Sequence, residues 1–280
     1  MLRSLVLATG LVAAAATPGL AQTRQAAVER FAANNAMFVL YHEVAHLMVD
    51  QLGLPVLGRE EDAADNMATY MLLNKTGDQY DQALGDAALG WKMSDLGRGK
   101  RHAADFYDEH SLDVQRAYSI VCLMVGHDPS TFTAIADEYG IDYRRQQTCE
   151  ADYDLVKRSL EGLLGTVGTK NGAPAQVEIR YNFVTGALAE TARAFRRSGV
   201  FEAIAEDVRK LPGLTAPVRL TAKRCDEPNA FYVAEDIEIL FCYELMDDFM
   251  GMADDILPAV ADAPPGPTRA AGLGRMRTGY

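Results

Sequence analysis

The sequence predicts an α+β fold that is mainly helical, with a metal-binding helix pair near its start and a small C-terminal antiparallel sheet. Three observations carry this. Apolar residues recur at helical spacing from Met37 to about Leu164. A Gly/Pro-bearing linker, Thr166 to Pro174, then interrupts the pattern. Beyond it, Gln176 to Val184 alternates with period two, as a half-buried strand does.

The chain opens with a single basic residue, Arg3, followed by an apolar stretch from Leu5 to Ala16 and small residues up to Ala21. Residues 1–21 read as a secretory signal peptide cut before Gln22, with an uncleaved anchor as the alternative. No later run is long and apolar enough for a stable membrane span, so the expected location is periplasmic or secreted. A net charge of −12 argues against nucleic acid and anionic membranes as partners.

Residues 22–165 form the expected helical, metal-binding half. The pattern is helical from Ala26 to about Leu73 and contains His42-Glu43-Val44-Ala45-His46 within an apolar run. Residues four apart share a helix face, so both imidazoles can reach one metal ion. Glu43 falls about 60° around the helix from His46, too far to ligate but near enough to hold a water beside the metal. Gly53 and Pro55 end this helix, and Glu60, Glu61 and Asp62 begin the next. The short connection folds the second helix back on the first. Glu61 can then supply a third ligand while Asp65, one turn on, accepts the free N–H of a ligand histidine. The alternative is that these acids merely complement the helix dipole. That serves for Glu60 or Asp62 but leaves the spacing of Glu61 and Asp65 without a reason.

Gln82 to Asp95 and Lys100 to Glu109 also read as helices, and Trp91, the lone tryptophan, as core. Ser111 caps the next helix, with Asp113 in its first turn and Tyr118, Ile120, Val121 and Leu123 as its buried side. Another helix starts at His127-Asp128-Pro129-Ser130. His110, Tyr107 or Arg116 could donate a hydrogen bond to an oxyanion at the metal. For His110 the alternative is a helix-start residue satisfied by backbone carbonyls. His102 and His127 read as surface or turn residues.

Residues 175–257 form the expected α+β half. After the strand at Gln176–Val184 comes a helical stretch from Ala187 to about Arg209, then a strand at Val218–Ala222. Ala230–Val233 and Ile237–Cys242 make a hairpin around Glu235-Asp236, and a helix from Tyr243 to about Ile256 closes the fold. Residues 258–280 are too poor in large apolar side chains to pack and read as a disordered tail. The four cysteines allow three pairings. Cys122–Cys149 and Cys225–Cys242 are favoured because each pair brackets a compact local segment.

The motif His42-Glu43-x-x-His46 followed by Glu61-x-x-Ala64-Asp65 resembles the glutamate-ligand zincins, the thermolysin-like branch of zinc peptidases. The longer string Leu54 to Asp65, the stretch Tyr107-Asp108-Glu109-His110 to Arg116, and Asn229-Ala230-Phe231 with Cys242-Tyr243-Glu244-Leu245 resemble a family of bacterial exported zinc metallopeptidases (domain of unknown function 4344). The metzincin pattern is excluded, because Val49 and Leu52 stand where its Gly and third His belong. One departure is the stretch between His46 and Glu61, shorter than thermolysin relatives carry, which leaves Glu60 as an alternative ligand.

The resemblance implies one zinc ion held by His42, His46 and Glu61. Glu43 would act as general base on a metal-activated water, and the substrate would be a peptide or protein; His110 is the expected catalytic partner among the three oxyanion donors named above. Zincins usually place a sheet before the metal-binding helix, with an edge strand that binds substrate backbone. Too little chain precedes His42 here, so the C-terminal strands are expected to form one sheet beside that helix. The alternatives are an inactive zinc-binding relative and an exported binding or assembly module.

Overall fold

The structure, a computed structural model, describes residues 18–167 and 174–257. The leader expected at 1–21 therefore lies outside the described residues up to residue 17. So do most of the expected linker and all of the expected tail.

Helix α1 (Pro18–Leu52) is the axis of the fold. At 35 residues it runs roughly 50 Å. Phe38, Leu40, Tyr41, Val44, Ala45, Leu47 and Met48 form an apolar half, and His42 and Glu43 on the other half are buried too, so this segment is covered around most of its circumference. Such a helix must be enclosed on all sides. Helices α2 (Glu60–Leu73), α3 (Asp78–Gly97) and α9 (Tyr243–Ile256) pack on it, as do α7 (Leu188–Ser198), α8 (Val200–Lys210) and two strands of the sheet. Gly53, at φ +65°, ends α1. Its N–H donates to the Asp50 carbonyl (3.2 Å) and the Leu54 N–H to the Val49 carbonyl (3.0 Å). This is the left-handed glycine stop that the sequence indicates, and it turns the chain back into α2.

Beyond α3, the expected helix at Lys100–Glu109 shrinks to one 3-10 turn, Ala103–Phe106. No residue of that stretch is buried, and a short helix with no apolar face to cover is not stable in water. Helix α4 (Asp113–His127) starts just after the expected cap. Leu112, not Ser111, is the capping position, and its N–H donates to Gln115 Oε1 at 3.1 Å. Ile120, Val121 and Leu123 are buried as expected, but Tyr118 faces outward.

Asp128 caps α5 (Pro129–Glu138) through the N–H groups of Ser130 and Thr131. The Cys122–Cys149 disulfide ties α4 to α6 (Tyr143–Thr166). The two backbones approach closely: a Cβ on Gly126 would lie 2.2 Å from the Cys149 carbonyl oxygen.

The second half begins with β1 (Val177–Tyr181). The helical stretch that follows is two helices, α7 (Leu188–Ser198) and α8 (Val200–Lys210), broken at Gly199 with φ +69°. Then come β2 (Val218–Lys223), β3 (Ala230–Val233) and β4 (Glu238–Cys242). The four strands form one sheet in the order β1-β2-β4-β3.

The β3–β4 hairpin is antiparallel as expected, but β1–β2 and β2–β4 are parallel, so the sheet is mixed. The parallel step from β1 to β2 is possible because α7 and α8 supply the crossover. Cys225–Cys242 pins β4, bearing out the second expected disulfide. Phe195 of α7 stacks flat on Phe241 of β4, with centroids 4.2 Å apart, sealing helices to sheet. The main core cluster draws on residues from both halves, and a smaller one joins Val28 and Phe31 to Ala253 and Ile256. The sheet meets α1 through β3, where the Tyr232 hydroxyl donates to Asp50 Oδ2 at 2.6 Å.

Candidate metal centre

His42 and His46 lie one turn apart on α1, with ring centroids 4.7 Å apart. The Gly53 reversal brings the first turn of α2 back over them, and Glu61 enters from there. Three atoms meet. His42 Nε2 is 3.1 Å from His46 Nε2 and 2.9 Å from Glu61 Oε2, and His46 Nε2 is 3.3 Å from that same oxygen. Ligands about 2.0–2.1 Å from a tetrahedral zinc are separated from one another by about 3.3 Å. The triangle therefore has the size of one face of a zinc tetrahedron. The set is also the right chemistry: two imidazoles and a carboxylate are donors that zinc favours, the imidazoles giving up a proton as the ion binds.

Each imidazole is held from behind. His42 Nδ1 is 2.8 Å from Asp65 Oδ1, deep in the protein. Asp65 takes a two-point contact from Arg116, Nε to Oδ2 and a terminal nitrogen to Oδ1, both at 2.7 Å. The guanidinium lies on Trp91, its central carbon 3.6 Å from the ring centroid. His46 Nδ1 is 2.8 Å from Glu60 Oε1, a carboxylate 48% exposed. A carboxylate at Nδ1 keeps the proton there and turns the Nε2 lone pair inward. His110 approaches from the open side, its Nε2 2.8 Å from Glu61 Oε2. Arg59 donates to the His110 carbonyl at 3.3 Å, linking that loop to the start of α2.

The electrostatics follow from these contacts. Burial opposes a charge on His42, but hydrogen bonds to Asp65 and Glu61 outweigh it and raise its pKa to about 9. Burial likewise works against the Glu61 carboxylate, yet hydrogen bonds from His110, His42 and His46 carry its pKa far below the usual range. Asp65 is held at about 2 despite burial, chiefly by the Arg116 charge. Glu43 goes the other way. Buried with no cation bonded to it, its carboxyl is pushed up by desolvation, an effect that His42 and His46 partly offset. A carboxyl raised in this way is suited to taking up and releasing a proton.

The sheet reaches the site beside Glu43. Asn229 accepts from the Cys242 N–H at 3.0 Å, and Phe231 registers with Leu240. Alternation in an antiparallel pair then turns the peptide groups of Ala230 and Tyr232 to the outer edge of β3. The Tyr232 main chain hydrogen-bonds to Glu43 from there.

The structure thus brings together His42, His46, Glu61, Asp65, Glu43 and His110. Tyr107 is exposed, and Arg116 is committed to Asp65 instead of an oxyanion. Glu60, the alternative ligand, sits behind His46 instead of among the donors. Sequence reasoning missed the parts played by Glu60, Arg116, Trp91 and Tyr232. Only Glu60 had a local signal, its place one residue before Glu61. Two cavities, about 380 and 280 Å³, are lined by residues such as Lys75, Tyr80 and Asp207, and Tyr118, Cys122 and Arg145; neither lining includes the cluster. Among the described residues, no helix is long and apolar enough to cross a membrane.

A family model described as "Putative metallopeptidase" (DUF4344) matches residues 5–164 and 185–255. No curated protein and no solved structure matches the chain.

Proposed function

The chain belongs to this family of putative metallopeptidases, and from that premise we propose an exported zinc-dependent peptidase in which Glu43 is the general base. His42, His46 and Glu61 would hold one zinc ion. The observation that carries the reading is the triangle of donor atoms, sized for zinc, with a buried carboxylic acid of raised pKa beside it. Zinc with an open position supplies an acidified water and polarises a carbonyl.

The chain's own residues do the rest. Glu43 takes a proton from the water as its oxygen forms a bond to the peptide carbon. It then delivers that proton to the amide nitrogen as the C–N bond breaks. His110, whose side chain is 43% exposed at the mouth of the site, donates to the carbonyl oxygen as charge gathers there. On the outer edge of β3 the Ala230 N–H is held by Asn229 Oδ1 at 2.9 Å and the Tyr232 N–H by Glu43, so it is the carbonyls of Ala230 and Tyr232 that this edge offers to an extended substrate. Two disulfides and the absence of an apolar span among the described helices accord with export to an oxidising compartment.

The test is Glu43→Gln. Its amide cannot accept the proton, so metal and fold are retained while cleavage of an unstructured protein falls by roughly 10²–10⁴-fold or more. Cleavage at the wild-type rate would refute the mechanism. One observation favours a second reading, a zinc-binding relative without turnover: His110 Nε2 comes close enough to the cluster to serve as a fourth donor. His110→Ala separates the two. In a peptidase it lowers turnover and leaves the metal in place; in a closed site it weakens the metal.

A further inference from the structure

We infer that Arg116, with Trp91 behind it, is a positioning residue of the metal centre. It locks the Asp65 carboxylate in the plane that presents His42 Nε2 to the ion. The inference rests on the reading that His42 is a ligand.

Arg116 lies on α4, 51 positions along the chain from Asp65, and is only 7% exposed. Two of its nitrogens are spent on Asp65, so it acts through that carboxylate and does not reach a substrate. Asp65 Oδ1 serves both His42 and Arg116, while Oδ2 serves Arg116 alone. The terminal torsion of an aspartate is broad and two-fold, so a carboxylate held at one oxygen can rotate away from an imidazole. A guanidinium fork held at two points removes that freedom. The fork in turn cannot swing, because the indole of Trp91 on α3 covers its face. One imidazole on α1 is thereby fixed by single residues from α2, α4 and α3. Behind the other imidazole, Glu60 is about half exposed and has no such buried backing among the described residues.

The test measures metal binding, not turnover. Zinc affinity is read by competition with a chromogenic chelator, and ligand geometry by the visible absorption of the cobalt-substituted protein. Arg116→Lys keeps the charge but holds only one carboxylate oxygen. It is expected to fold, to weaken zinc about 10-fold, the lower end for partners behind a ligand histidine, and to shift the cobalt bands. The double variant Asp65→Asn/Arg116→Gln leaves no unpaired buried charge, and it should weaken zinc at least as much.

Wild-type zinc affinity with an unchanged cobalt spectrum in either variant overturns the inference. So does zinc loss that merely tracks loss of helicity by circular dichroism in both, which would assign Arg116 to the fold alone. A wild-type protein that binds no zinc is a different outcome and defeats the proposed function itself.

Discussion

His42 and His46 stand one turn apart on the same helix, and each has a carboxylate 2.8 Å from its Nδ1. Behind His42 that carboxylate is Asp65, 6% exposed, gripped by Arg116 and roofed by Trp91. Behind His46 it is Glu60, whose side chain is about half exposed and bonds to nothing else among the described contacts. One wall of the site is set by the folded core and the other by a surface pair. The same chemical contact therefore differs in rigidity and in sensitivity to solvent. A buried pair answers to everything packed around it, while an exposed one answers to salt and side-chain entropy.

The largest effect should come from the inner wall. Asp65→Ala leaves the Arg116 charge buried and unpaired, which costs roughly 3–5 kcal/mol of stability. It also removes the acceptor for His42, so zinc affinity should fall about 10–100-fold. Urea titration and chelator competition measure the two. A cost no larger than that of Glu60→Ala would erase the distinction between the walls.

An intermediate effect is expected where a part-buried carboxylate meets α1 through a neutral amide, with only the Arg30 charge to offset its burial. Asp86 of α3 accepts from Asn34 Nδ2 at 2.7 Å. Desolvation dominates there and raises its pKa to about 6. Its folded pKa lies above the unfolded value near 4, so the folded state binds the extra proton. Its contribution is fully present below about pH 4 and is lost as pH rises through about 6. Asp86→Asn carries no such penalty, so its advantage over wild type should grow across that window to about 3 kcal/mol. Thermal melts from pH 4 to 7 follow it, and a constant difference across the window would show that Asp86 is not held in its acid form.

Glu60→Ala should have the smallest effect, within about 1 kcal/mol in stability and a few-fold in zinc affinity. What it costs should shrink in high salt, since the contact is exposed. A salt-independent loss of the size seen for Asp65→Ala would mean that the outer wall is as fixed as the inner one.

Much of this was legible in the chain. The positions of His42, Glu43 and His46 follow from helical spacing. The return of Glu61 follows from Gly53 and the short connection after it, and both disulfides follow from their compact brackets. Glu61 and Asp65, one turn apart, marked the candidate third donor and the partner of His42 together. Other expectations were less complete. Lys100–Glu109 has helix-forming residues but no face to bury, and the alternation of β1 and β2 says nothing about parallel or antiparallel pairing.

Sequence periodicity reaches only about a turn of helix or two residues of strand, so it marked most of the elements, the glycine stop of α1 and the donors that neighbour each other along the chain. Arg116 meets Asp65 across 51 positions, and Tyr232 meets Asp50 across 182. No local pattern encodes such encounters, because they arise only when separately formed helices and a strand pack on α1. Tertiary structure alone therefore decided which histidine is anchored in the core, which strand edge lies beside Glu43, and which side of the site stays open at His110.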